Sequence, residues 1–149
     1  MIDPRLEADI RTAESCRLTA YRDTENLWTI GWGHLLDQTP DWTNYTISQT
    51  LADTWLDADI GIAQKTAQAL PEWVYLNTPC RQNAVIELCF EMGHRWLSFV
   101  NTRAAIRAQN WQAAHDGLLA SLWASEVHAD RADRLADYLL TGQYQGTSE

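Results

Sequence analysis

One stretch of strand-like composition stands in this chain, and every other periodic segment repeats at helical spacing. "LTAYRD" and "WTIGW", at 18–23 and 28–32, are rich in aromatic and β-branched residues, and "TEN" between them is turn chemistry. That pattern predicts a single small β-hairpin, over about 18–34. Ahead of it, Asp3 followed by Pro4 predicts a helix N-cap with proline in the first turn, and Leu6, Ile10 and Ala13 share a face as far as Glu14. From Gly33 to Tyr45 the chain reads as loop, with "DQTPDWTN" supplying turn residues. Thr46 and Gln49 predict a capping box for a long amphipathic helix, about 46–70, on which Ile47, Leu51, Trp55, Ala58 and Ile62 recur before Pro71. Thr78–Pro79 opens another helix, which carries Val85, Leu88, Cys89 and Met92 to Gly93. Shorter helices are predicted at about 103–108, 111–119 and 131–141, the last ended by Gly142. A helix and hairpin followed by helices alone read as α+β, mostly helical, with the hairpin in a small N-terminal lobe.

Length and charge narrow the function classes. At 149 residues the chain reads as one domain, 1–149, with room for two lobes. A net charge of −9 argues against nucleic acid, whose phosphates would repel it. No apolar run approaches the roughly 18 residues needed to span a bilayer, so no stable membrane association is expected. The opening "MIDPRLEADIRTAE" is polar and acidic, unlike a secretory signal, which predicts a protein first held in the cytoplasm. Cys16, Cys80 and Cys89 have no metal-like spacing and read as reduced, buried thiols. With no convincing ligand cluster, neither a metal nor a cofactor is expected. Eight tryptophans leave some for the core and some that could stack on sugar faces.

The chemistry gathers at 14–36. No glycine occurs in the first thirty residues, and then Gly31 and Gly33 flank Trp32 just after a run of acids. A core would not need this, because buried acids are costly and glycines weaken strands. Eight residues separate Glu14 from Asp23, and five separate Asp23 from Thr29. If the helix end and the two hairpin strands converge, these side chains line one cleft. Two carboxylates and a hydroxyl suit glycoside hydrolysis, in which one carboxyl protonates the leaving oxygen and the other, ionised, supports the positive sugar or activates water. With 20 acidic residues in the chain, spacing alone leaves two surface acids as the alternative.

The full motif goes further. Glu14, Arg17, Leu18, Tyr21, Asp23, Thr24, Glu25, Thr29, Ile30, Gly31, Gly33, His34 and Leu35 resemble, in order, spacing and type, the active-site segment of the phage lysozymes, the endolysins of glycoside hydrolase family 24. "NAVIELCFEMG" (83–93) is similar to the family's central buried helix, and the segment 118–144 to its C-terminal part. The resemblance implies a two-lobed lysozyme with a connecting helix and a helical lobe over about 78–144. It implies Glu14 as general acid and Asp23 as the group that activates water or stabilises the oxocarbenium-like transition state, with Thr29 holding that water. Tyr21, Trp32 and Gly31 would meet substrate or, for the two aromatics, simply pack. Gly33 would share Gly31's backbone freedom, and His34, Arg131 and Arg134 would support the region.

The implied activity is that of an inverting muramidase on bacterial peptidoglycan. The implied setting is a monomeric endolysin, kept in the host cytoplasm until a holin releases it to the periplasm and cell wall. Alternatives are a tail-borne or effector lysozyme, a glycan-binding module without catalysis, and a chitinase-like enzyme. Many relatives are basic, so the −9 charge implies weaker electrostatic capture by an anionic wall.

Overall fold

The computed structural model describes residues 2–127 and 129–144. His128, inside the C-terminal stretch of the resemblance, lies outside the described residues, as do Met1 and 145–149 of the expected 1–149 domain. The fold is α+β and mostly helical, with one small antiparallel sheet near the N-terminus. The chain divides into two compact units, Met1–Ile62 and Ala63–Glu149.

In the first unit, α1 (Pro4–Glu14) starts where Asp3 Oδ1 accepts the Arg5 N–H at 2.9 Å. It ends at Ser15, whose N–H still reaches the Arg11 carbonyl. The Ser15 backbone, at φ 60° and ψ 162°, occupies a region that essentially only glycine visits freely. Strands β1 (Arg17–Arg22), β2 (Trp28–Gly31) and β3 (His34–Leu35) then form a sheet in the order β1-β2-β3.

The third strand corrects the expectation of a hairpin followed by loop. Gly31 and Gly33, at φ +66° and +82°, let the chain double back so that His34 and Leu35 pair with Ile30 and Thr29. The Gln38 side chain completes this edge. Its Oε1 accepts the Trp28 N–H at 2.6 Å and its Nε2 donates to the Trp28 carbonyl at 3.0 Å, as a further strand residue would.

Thr46 also departs from expectation. It bridges Thr19, while the Ala20 N–H donates to the Tyr45 carbonyl and the Ile47 N–H to the Leu18 carbonyl. Because the sheet claims this backbone, the helix opens later. Ser48 Oγ accepts the Leu51 N–H at 3.1 Å, and α2 runs over Gln49–Gln68. Ile30, Ile47 and Ala52 form a buried cluster, with Leu18, Trp32 and Trp55 packed around it.

The second unit is helical. A 3-10 turn at Trp73–Tyr75 precedes α3 (Pro79–Met92), which is capped by Thr78 and stopped by Gly93 in a left-handed conformation. Another 3-10 turn, Gly93–Ser98, leads to α4 (Val100–Arg107), α5 (Trp111–Leu119), α6 (Leu122–Glu126) and α7 (Ala129–Thr141). Helix α3 is buried from Cys80 to Cys89 except at Gln82, so the polar residues inside that stretch must be paired within the protein. Arg81 satisfies this by donating to the last carbonyls of α7, Leu139 at 2.8 Å and Leu140 at 2.9 Å. No described helix is long and apolar enough to cross a membrane.

Candidate active site

In the first unit, Glu14, Tyr21, Asp23 and Thr29 stand at one helix end and along the neighbouring strands β1 and β2. Tyr21 directs its side chain to one face of β1, and Asp23 follows the strand just past its last residue, Arg22. Thr29 is the cross-strand partner of Tyr21 and shares that side. Glu14 is the last residue of α1.

Asp23 closes the turn between β1 and β2. Its N–H donates to the Leu27 carbonyl, its carbonyl accepts from Asn26, and Asn26 takes the left-handed conformation that the turn requires, at φ 63°. Side-chain Oδ1 accepts the N–H groups of Glu25 and Leu27, both at 2.9 Å, which fixes the orientation of the carboxylate. Thr29 is 3% exposed, and its hydroxyl donates to the Leu27 carbonyl at 2.9 Å. The proton is thereby committed, and the oxygen's lone pairs remain as acceptors.

Two observations bring Glu14 to this face. A Cβ at Gly33 would collide with Glu14 Oε2 and lie 3.1 Å from its Cδ. The Tyr21 phenol, moreover, lies in the field of both acids. Burial pushes its pKa up most, and the Glu14 carboxylate adds to this; Arg17 opposes, while Asp23 and Cys16 push upward again. The Arg17 guanidinium lies 3.9 Å from the Tyr21 ring centroid. One phenol therefore senses Glu14 and Asp23 together.

Other predicted residues serve the scaffold. Gly31 is buried, and a Cβ there would stand 3.3 Å from the Ala52 Cβ, so its missing side chain admits α2 instead of a sugar. Trp32 is half-buried, donates from Nε1 to Asp53 at 2.8 Å and carries the Arg11 guanidinium 4.8 Å from its ring centroid. Trp32 thus packs as an anchor between α1 and α2. The Trp32 hydrogen bond, with a second from Gln49, holds the Asp53 carboxyl below its ordinary range. His34 shares a 2.7 Å hydrogen bond between Nδ1 and Asp59, and its ring centroid lies 4.7 Å from that of Trp55.

Arg131 and Arg134 belong to the second unit, where both converge on Glu87. Arg131 Nε and Arg134 Nη2 donate to Glu87 Oε2 at 2.9 and 2.7 Å. Among the described residues, no group of three His, Cys, Asp or Glu side chains could hold a metal ion.

Sequence reading missed Asp53 and Asp59, the anchors of Trp32 and His34. The spacing of Gln49 and Asp53, four apart on one helix, was an available signal for the first. Asp59 pairs across 25 residues of sequence and carried none.

Comparison with known proteins places the chain in a family. The phage lysozyme family profile matches residues 11–133, which includes Glu14, Asp23 and Thr29. The chain belongs to the phage lysozyme family. It is also similar to the pre-baseplate central spike protein Gp5 of Enterobacteria phage T4, at 28% identity over 160 residues. That similarity takes in 91% of this chain and 28% of the relative, so the chain spans little more than a quarter of that protein's length. Membership in the phage lysozyme family supports a lysozyme-type, peptidoglycan-degrading function.

Proposed function

We propose that this phage lysozyme is a muramidase that hydrolyses the β-1,4 bond between N-acetylmuramic acid and N-acetylglucosamine with inversion. The observation that carries this reading is the phage lysozyme match across Glu14, Asp23 and Thr29, with Glu14 lying against Gly33 and Asp23 held by two backbone N–H groups at the end of β1. Glu14 gives its proton to the glycosidic oxygen as the bond to the anomeric carbon breaks. A water adds to that carbon from the opposite side and loses its proton to Asp23. Thr29, its own proton committed to the Leu27 carbonyl, accepts a hydrogen bond from the same water. Asp23 is suited to a fixed role because two backbone N–H groups hold it. The reaction takes no metal or cofactor.

Two product analyses on purified peptidoglycan test the reading. Borohydride reduction of the new ends should yield the muramic alcohol, whereas the glucosamine alcohol would mark a different bond. NMR of the first product should find the α-anomer, and an initial β-anomer would require a covalent intermediate in place of direct water attack. Cleavage of chitin in preference to peptidoglycan would favour the chitinase-like alternative.

The biological setting we favour is an endolysin, acting as a monomer, retained in the host cytoplasm until a holin opens the membrane. Similarity to a central spike protein supports a second reading, a lysozyme carried on the tail. Activity gels of purified particles beside cleared lysate separate the two. An activity band at this mass in the lysate alone fits the endolysin, and a band in the particles fits the tail.

A further inference from the structure

We propose that Gly33 is a positioning residue for Glu14, its missing side chain forming the seat on which the carboxylate rests. The proposal depends on Glu14 being the proton donor. The three heavy atoms nearest to a Cβ built on Gly33 are Glu14 Oε2, which it would overlap, Cδ at 3.1 Å and Cγ at 3.7 Å. All three belong to Glu14, so the acid lies against the Gly33 backbone.

Gly31 makes the contrast. It has the same sign of φ, but its Cβ would meet Ala52 and Ile47. The two glycines flanking Trp32 therefore do different work, one admitting a helix and the other admitting an acid.

The seat lies between the end of α1 and the start of β3. Glu14 closes α1, and the next residue, Ser15, is locked in a conformation rare outside glycine. On the other side of the seat, His34 is tied to Asp59 and opens β3. Between these two backbone segments, the Glu14 side chain is the part that can change rotamer. A methyl group at position 33 would displace the carboxylate and leave the strands in place. A displacement of about 1 Å at a reacting group costs up to about a hundredfold in rate.

The test measures kcat, KM and melting temperature on peptidoglycan for Gly33→Ala, Glu14→Gln, Glu14→Asp and the double variant Glu14→Asp/Gly33→Ala. Gly33→Ala should lower kcat by roughly ten- to a hundredfold with KM near wild type. The aspartate carboxyl is one methylene shorter and withdraws from position 33, so the double variant should be no slower than Glu14→Asp alone. Losses that multiply, or a Gly33→Ala enzyme with wild-type kcat, would overturn the seat. An active Glu14→Gln enzyme would instead remove the proton donor and the proposal with it.

Alanine at φ +82° is itself strained, so stability needs a parallel control. Gly93, at φ +57° with nothing within 4 Å of a Cβ, reports the cost of a methyl group at a positive φ in open space. In a Glu14→Ala background, where the obstacle is gone, Gly33→Ala should lower the melting temperature only as much as Gly93→Ala does. A clearly larger drop would mean that something other than Glu14 fills the seat. This comparison holds even if the single Gly33→Ala variant does not fold.

Discussion

The two units use their acidic residues in opposite ways. The first, Met1–Ile62, carries eleven acidic and four basic residues; the second, Ala63–Glu149, carries nine and seven. The second unit buries its key acids and clamps each with arginine. Glu72 is fully buried between Trp96 Nε1 at 2.9 Å and Arg103, whose Nε and Nη2 lie 2.7 and 3.0 Å from its oxygens. Glu87, 1% exposed, receives Arg131 and Arg134. Burial works against the charge of Glu72, but the Arg103 hydrogen bonds, with backbone and Trp96 donors, outweigh it and hold the carboxyl below the ordinary glutamate range. Glu72, clamped in this way, stays ionised at neutral pH and is a poor proton donor. In the first unit, Glu14 rests against a glycine at a half-buried helix end, close enough for its charge to raise the pKa of the Tyr21 phenol. The same side chain thus serves as a structural fixture in one unit and as the proposed reactive group in the other.

The sharpest separation should come from Glu14→Gln. The amide preserves shape but cannot deliver a proton, so wall lysis should fall by about 10²–10⁴-fold or more while the thermal melt stays at the wild-type temperature. A variant that retained more than roughly a tenth of its activity would return Glu14 to an ordinary surface role. Glu87→Ala should show the reverse profile. Removing the shared carboxylate takes the buried acceptor from two guanidinium groups, a loss of about 3–5 kcal/mol in urea unfolding, with turnover per folded molecule unchanged. If Glu87→Ala lowered turnover at full stability, the division of labour would collapse.

The pH dependence of stability sharpens the contrast further. The folded Glu72 carboxyl is held below its unfolded value, so the unfolded chain binds the proton first as pH falls. Its contribution is complete above the ordinary glutamate range, about 4.3, and disappears as pH drops through the lower folded value. Urea midpoints measured from pH 6 down to pH 2 should therefore fall less steeply in Glu72→Gln than in wild type, from a lower starting point. Equal slopes would show that Glu72 is not the acid-sensitive fixture.

The smallest effect is expected at Ser15. Glycine there relieves a strained backbone but adds freedom to the unfolded chain, so Ser15→Gly should raise stability by about 1 kcal/mol at most. Wild-type lysis should be retained. A destabilised Ser15→Gly would mean that the side chain contributes more than its backbone costs.

What could be read in advance was local. Asp3–Pro4 and Thr78–Pro79 announce helix starts because a cap and its helix are neighbours in sequence. The order of Glu14, Asp23 and Thr29 was legible because a helix end, a strand and a return strand follow one another directly. Thr46 misled because a capping signal four residues long ignores the Thr19 bridge that engages its backbone from a distance. Strand β3 was hidden because two residues cannot display a period, and its edge is completed by a side chain. The Glu72 and Glu87 clamps join residues 24 to 47 apart, and no spacing rule reaches that far. Gly33 was legible as a flexible position but not as a neighbour of Glu14, since its role depends on what lies opposite.

The thiols offer a practical handle for watching the proposed site at work. Cys80 and Cys89 are 2% and 5% exposed, and burial pushes the Cys89 thiol up to about 12, where the reactive thiolate is scarce at neutral pH. Cys16 is only half-buried and lies two residues beyond Glu14, at the mouth of β1. A maleimide dye should therefore attach to the folded enzyme at one position and to the unfolded chain at three, as mass spectrometry would count. The native sequence already contains an address for a fluorescent reporter beside the acid, so glycan arrival could be followed in real time without engineering a new cysteine.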